Sequence, residues 1–145
     1  MSRRPDNLTC DRKAVNLTRI SRRFAELRAN GELGIVAYIT AGDPSLDATQ
    51  RFVLALGEAG ADVIELGVPF TDPLADGPSI QAATERALRN GVTLDQIFSL
   101  VQSLRARSQI PIVLMTYYNP AFRYGLQMRT DRVDVNTFDE FSRRL

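Results

Sequence analysis

The chain has 145 residues, enough for one domain of ordinary size, and 44% are hydrophobic, so a packed core is expected rather than disorder. Eighteen basic and 17 acidic residues leave a formal charge of +1, which gives no basic field for nucleic acid or a membrane surface. The absence of histidine excludes His-metal sites and Ser-His-Asp triads within the chain, and the single lysine, Lys13, sits in a polar stretch unsuited to Schiff-base chemistry.

Residues 1 to 15 are polar and without period, and read as a flexible leader. Basic residues there are followed by no apolar stretch, so no secretory signal is expected. No apolar run reaches the ~18 residues of a membrane span. Cys10 is the only cysteine, which fits a cytoplasmic setting. Leu17, Ile20, Phe24 and Leu27 then recur at helical spacing, and Gly31 stops that helix. "GIVAYIT" (34–40) is an apolar run that predicts a buried strand. Asp43-Pro44 makes a turn, and Ser45 caps a helix carrying Leu46, Thr49, Val53 and Leu56 on one side. "DVIEL" (62–66) is the second strand, followed by a loop over 67–78 rich in proline and glycine. A helix runs from Ser79 to about Asn90. Thr93 and Gln96 have capping-box spacing ahead of a stripe of Leu94, Ile97, Val101 and Leu104. "IPIVLMTYY" (110–118) predicts the third strand. Residues 126–145 are charged and thinly apolar. A short helix over 136–144 is the local expectation there, with no convincing fourth strand.

Apolar strands alternating with amphipathic helices predict an α/β fold built of about three parallel βα units after an N-terminal helix. Two architectures fit: an open doubly wound sheet, or part of a (β/α)8 barrel. No glycine-rich fingerprint follows the first strand, which weakens the dinucleotide-binding version. In either architecture functional groups gather at the carboxyl ends of the strands. Glu65 falls near such an end, on the strand face opposite Ile64 and Leu66. A carboxylate in that position suits general acid–base work, and Asp76, held by stiff loop backbone, suits accepting a ring N–H. The plain structural alternative is a salt-bridged Glu65, with Asp72 and Asp76 as turn residues beside Pro and Gly.

"AYITAGDPS", "GADVIELGVPFTDPLADGPSIQ", "RAL..GVTL" and "PIVLMTYYNPAFRYG" closely resemble the tryptophan synthase alpha subunit family. The resemblance covers about residues 17 to 125, the family's amino-terminal half. It implies a TIM barrel, of which residues 16–125 form the first part, and retro-aldol cleavage of indole-3-glycerol phosphate to indole and glyceraldehyde 3-phosphate. It also implies an alpha2-beta2 complex in which pyridoxal phosphate belongs to the beta subunit, with no cofactor or metal in this one. By motif, Glu65 matches the acid–base glutamate and Asp76 the aspartate that binds the indole N–H. Tyr38, Met115 and Tyr117 match substrate-pocket positions. Pro69, Phe70 and Asp72 match the segment contacting the beta subunit, and Asp43 lies in a turn resembling one near the pocket. For Tyr38, Met115 and Tyr117, ordinary barrel packing is the alternative.

A complete barrel takes about 250 residues. The family pattern stops after Gly125, so 126–145 reads as a divergent tail, a replaced or misread segment such as a frameshift product. The family's phosphate-binding loops fall outside the chain. Little or no turnover is expected of this chain alone; the alternative to an enzyme is a non-catalytic fragment that at most docks on a beta subunit. Unpaired sheet edges favour association. Analytical sedimentation of the isolated chain should therefore show self-association; a single monomeric boundary with cooperative melting would contradict that.

Overall fold

The computed structural model describes residues 18–123 and 140–144. The leader, Cys10, Lys13 and Leu17 lie outside them, as does the tail up to residue 139. Strands β1 (Val36–Thr40), β2 (Val63–Gly67), β3 (Ile112–Tyr117) and β4 (Glu140–Arg144) form one sheet in sequence order. Every pairing is parallel. Between them run α1 (Arg19–Asn30), α2 (Leu46–Glu58), α3 (Pro78–Arg89), α4 (Leu94–Arg105) and the short α5 (Tyr118–Arg123). This is the parallel α/β arrangement of a partial TIM barrel.

The helix boundaries follow their caps. Thr18 accepts from the Ser21 N–H at 3.1 Å, and Ser45 from the Ala48 N–H at 3.1 Å. Thr93 and Gln96 form the expected reciprocal box, with the Thr93 N–H donating to Gln96 Oε1 at 2.9 Å and the Gln96 N–H to Thr93 Oγ1 at 3.3 Å. One face of the sheet carries Ile64, Leu66, Ile112 and Leu114, all fully buried. They pack with Val53 of α2 and Ile97, Val101 and Leu104 of α4. Each such side chain contributes about 1.5–3 kcal/mol by leaving water. Of the stripe predicted for α4, Ile97, Val101 and Leu104 are buried and Leu94 is half-buried; Phe98 and Leu100, outside it, are buried as well. On α1 the pattern holds only in part: Ile20 and Leu27 are buried, but Phe24 is 43% exposed. Val36 and Val63 are register partners, yet Val36, on the edge strand β1, is 46% exposed whereas Val63 is buried.

Two expectations are corrected. Tyr118 opens α5 instead of ending the third strand. The helix expected over 136–144 is overturned at its end, because Glu140–Arg144 is strand β4, a fourth strand where none was expected. Its backbone pairs along β3 from Val113↔Glu140 to Tyr117↔Arg144. The unpaired backbone groups along β3 supply a ladder that the local pattern of 136–144 does not encode, and tertiary pairing outweighs weak local preference.

At the N-terminal end of the sheet one acidic side chain joins three elements. Asp62 is 6% exposed. Its Oδ2 accepts from the Ile35 N–H at 2.6 Å, and its Oδ1 meets the Arg23 guanidinium of α1 at 2.7 Å. The Ile35 N–H, then Arg23, hold the Asp62 carboxyl below the usual carboxylate range, against the opposing effect of burial. A depressed carboxyl contributes stability above its unfolded pKa, about 3.9, and that contribution is lost as pH falls through the lower folded value. Asp62→Ala should cost about 1–3 kcal/mol at pH 7. The difference from wild type in denaturant unfolding should narrow below about pH 4; an equal gap at pH 3 and pH 7 would refute this role.

Candidate functional site

Parallel register decides which side chains meet. Tyr38, Glu65 and Val113 are register partners, as are Thr40, Gly67 and Met115 one pleat further on. Partners in a ladder point to the same side, and so do residues two apart along a strand. Tyr38, Glu65, Met115 and Tyr117 therefore share the face opposite the helix-packed core, and all four are half-buried. Gly67 makes room on this face. A Cβ placed there would lie 2.1 Å from Tyr38 Oη and 2.7 Å from Cζ, so the Tyr38 ring occupies the space a side chain would take. The Tyr38 hydroxyl also lies 3.4 Å from Thr40 Oγ1.

The loop after β2 is fixed by hydrogen bonds from both sides. The Val68 N–H donates to the Met115 carbonyl at 2.8 Å, extending the β2–β3 ladder. The Ala75 N–H donates to Tyr117 Oη at 3.0 Å, and the Asp76 N–H to the Pro73 carbonyl at 3.0 Å. Gln81, in the first turns of α3, donates through Nε2 to the Asp76 carbonyl at 2.8 Å and the Pro73 carbonyl at 3.3 Å. Asp76, so held, lines a cleft with Tyr38, Val68, Thr84, Met115, Thr116 and Tyr117. Four of the residues expected at a site (Tyr38, Asp76, Met115 and Tyr117) thus come together. Glu65 is not among the lining residues; it lies beside Tyr38 in the ladder, one pleat below Gly67 and Met115. The cavity is about 20 Å³, room for about one water.

The residues expected at a partner surface divide. Pro69 and Phe70 are half-buried, and the Phe70 ring lies 5.0 Å from that of Tyr117, tilted by 33°. Asp72 is exposed and accepts from Thr71 Oγ1 at 3.1 Å. Leu74, unforeseen in the sequence, is 91% exposed on the same loop.

The turn after β1 is gripped by α3. Arg86 donates to both carboxylate oxygens of Asp43 at 2.8 Å, and this pair holds the Asp43 carboxyl below its usual range. Asn90 donates to the carbonyls of Gly42 at 3.2 Å and Pro44 at 2.6 Å. Gly42 has φ +88, and a Cβ there would meet Val92 Cγ2 at 2.3 Å, so only glycine fits. Arg86, Asn90, Gln81 and Gly67 were not singled out in the sequence. Arg86 and Asn90 act across the chain, at separations of 43 to 48 residues that carry no local period; Gln81 reaches back five and eight residues into its own loop, and Gly67 was visible as a small residue after an apolar strand. Among the described residues, no group of three or more His, Cys, Asp or Glu is arranged to hold a metal ion. No helix among them is long and apolar enough to cross a membrane.

A sequence model of the family described as tryptophan synthase alpha chain matches residues 24–139, a span that runs past residue 125. The tryptophan synthase alpha chain of Citrifermentans bemidjiense is 57% identical over 109 residues, covering 75% of this chain and 41% of that one. That of Caldanaerobacter subterraneus is 52% identical over 111 residues, covering 77% and 42%. Among solved structures, tryptophan synthase subunit alpha from Legionella pneumophila superposes with a TM-score of 0.82 at 37% identity, over 86% of this chain and 48% of that one. A chain of tryptophan synthase from M. tuberculosis gives 0.80 at 34%, over 88% and 51%. The chain spans about two fifths of the length of the curated relatives it matches.

The Tyr38–Gly67 contact has a direct test. Gly67→Ala should destabilise the fold by about 1–3 kcal/mol through overpacking. In the background of Tyr38→Ala the same change should cost little, since the ring it strikes is gone. Additive losses in a double-mutant cycle would show that the ring and Gly67 are not in contact.

Proposed function

Because the chain belongs to the tryptophan synthase alpha chain family, we propose that it carries the acid–base part of a site that cleaves indole-3-glycerol phosphate to indole and glyceraldehyde 3-phosphate. Residues 16–125 are then the amino-terminal part of the barrel, and the tail of 126–145 ends in strand β4, which extends the same parallel sheet. What supports the reading is the sheet register, which sets Glu65 beside Tyr38 on the open face below the cleft that Asp76 lines.

The chemistry needs one proton in and one out. Protonating the ring carbon that bears the glycerol chain makes the indole cationic. Removing the proton of the hydroxyl on the adjacent chain carbon lets that oxygen become a carbonyl. The carbon–carbon bond then breaks and its electron pair returns to the ring. Glu65 can supply the first proton and accept the second, ending as it began. Asp76 accepts the indole N–H and stabilises the charge that develops on the ring. Tyr38, Met115 and Tyr117 bound the ring. No cofactor takes part in these steps. Pyridoxal phosphate chemistry is assigned to a beta subunit, which would dock on the loop of Pro69, Phe70 and Asp72. With neither nucleic acid nor membrane among the proposed partners, a cytoplasmic setting suits this biosynthetic role.

A second reading is a non-catalytic piece that only docks on the beta subunit. The small cavity favours it for the chain taken alone. An indole-release assay on the 145-residue chain, with and without beta subunit, separates the two. If the chain turns over, Glu65→Gln should reduce the rate about 10²–10⁴-fold. Asp76→Asn should reduce it about 10–100-fold, as for loss of a charge-assisted hydrogen bond. Activity that survives Glu65→Gln removes the proposed chemistry. Beta-subunit binding weakened by Asp72→Ala, with no indole formed, supports docking alone.

A further inference from the structure

We propose that Tyr117 is a positioning residue that joins the outer surface of the 68–77 loop to Asp76, so that a contact made at Phe70 is felt at the carboxylate. The inference rests on the site reading above, in which Asp76 binds the ring N–H. Three observations carry it. The Tyr117 hydroxyl accepts the Ala75 N–H at 3.0 Å, one residue before Asp76. The Tyr117 ring lies against Phe70, at 5.0 Å between centroids, near the other end of the same loop. Tyr117 also lines the cleft with Asp76.

The loop is therefore gripped at both ends by one side chain projecting from β3. That strand is a rigid support, with Ile112 and Leu114 fully buried on its opposite face. Its register with β2 is fixed through Gly67↔Met115, and the Val68 N–H continues the ladder onto the Met115 carbonyl. A displacement of Phe70 has two outlets: the loop backbone, restrained by Val68, or the Tyr117 ring. A swing of the whole side chain about χ1, unlike a flip of the ring about its own axis, moves the oxygen that holds Ala75. The hydroxyl accepts from Ala75, so its own proton remains free to donate and can turn toward the cleft. Tyr117 thus has a positioning role beyond that of a wall of the pocket, and Phe70 has an internal partner as well as an outward one.

The test uses the 145-residue chain as wild type, Tyr117→Phe, Phe70→Ala and the double variant. Backbone amide exchange is read at Ala75, Val68, Ile64 and Leu114, and indole affinity by titration. Tyr117→Phe keeps the ring and removes the hydroxyl, which is both the acceptor of the Ala75 N–H and a donor that can face the cleft. Ala75 exchange should rise about five- to tenfold, as for loss of one hydrogen bond, while Ile64 and Leu114 stay unchanged. Phe70→Ala should also speed Ala75 exchange, although it removes no bond from that amide. The double variant should show no more than the larger single effect. Indole affinity should fall several-fold in each variant. Unchanged Ala75 exchange in Tyr117→Phe, or strictly additive effects of the two changes, overturns the inference. A wild-type chain that binds no indole would count against the site reading alone, because the exchange cycle still decides whether the two ends of the loop are joined.

Discussion

The arrangement at the mouth depends on the pairing of β2 between β1 and β3. That pairing continues past the strand ends: the Ala41 N–H donates to the Gly67 carbonyl at 2.9 Å, and the Val68 N–H to the Met115 carbonyl at 2.8 Å. The bases of two loops are thereby fixed relative to each other before any side chain is considered. Register then assigns the faces. A slip of one residue would send Glu65 to the helix side and Ile64 to the open side. The fully buried Ile64, Leu66, Ile112 and Leu114 forbid that slip, because four large apolar groups would move into water together. The apolar core on one face is thus what specifies the polar groups on the other.

Charge is used differently at the two ends of the sheet. At the N-terminal end, Asp62 is buried and satisfied by one backbone N–H and one guanidinium, and it fastens α1 to the strands. At the mouth, Asp43 and Arg86 form a two-pronged pair in which Arg86 is 53% exposed. Solvent screening makes such a pair weak as a source of stability. Its geometry is nevertheless restrictive, since two parallel hydrogen bonds fix orientation as well as distance. The first pair holds the fold, and the second orients a loop.

Much of this was legible in the residues. The runs at 34–40, 62–66 and 110–118 marked the strands to within two residues, because strands covered by helices must be nearly continuous in apolar side chains. Ser45, Thr93 and Gln96 marked helix starts, because orphan N–H groups need an oxygen at a fixed offset. Phe24 misled, since its helical spacing matched that of Ile20 and Leu27 without matching their burial. Strand β4 was invisible, because its partner is the backbone of β3 rather than any pattern of its own. At the mouth, Tyr38, Asp76, Met115 and Tyr117 were legible through resemblance. Gln81, Arg86 and Asn90 were not: Arg86 and Asp43 are 43 positions apart, and nothing local to either announces the other.

Helix α3 takes hold of both loops, with Gln81 on the one after β2 and Arg86 and Asn90 on the one after β1. Gln81 and Asn90, the residue that caps the helix, are nine positions apart, roughly 13 Å along its axis. A helix is stiff along its axis, so it behaves as a crossbar bolted to two posts. Thermal breathing of the rim must then be collective: the loops tilt together about a shared lever, and neither can flutter alone without shearing a bolt.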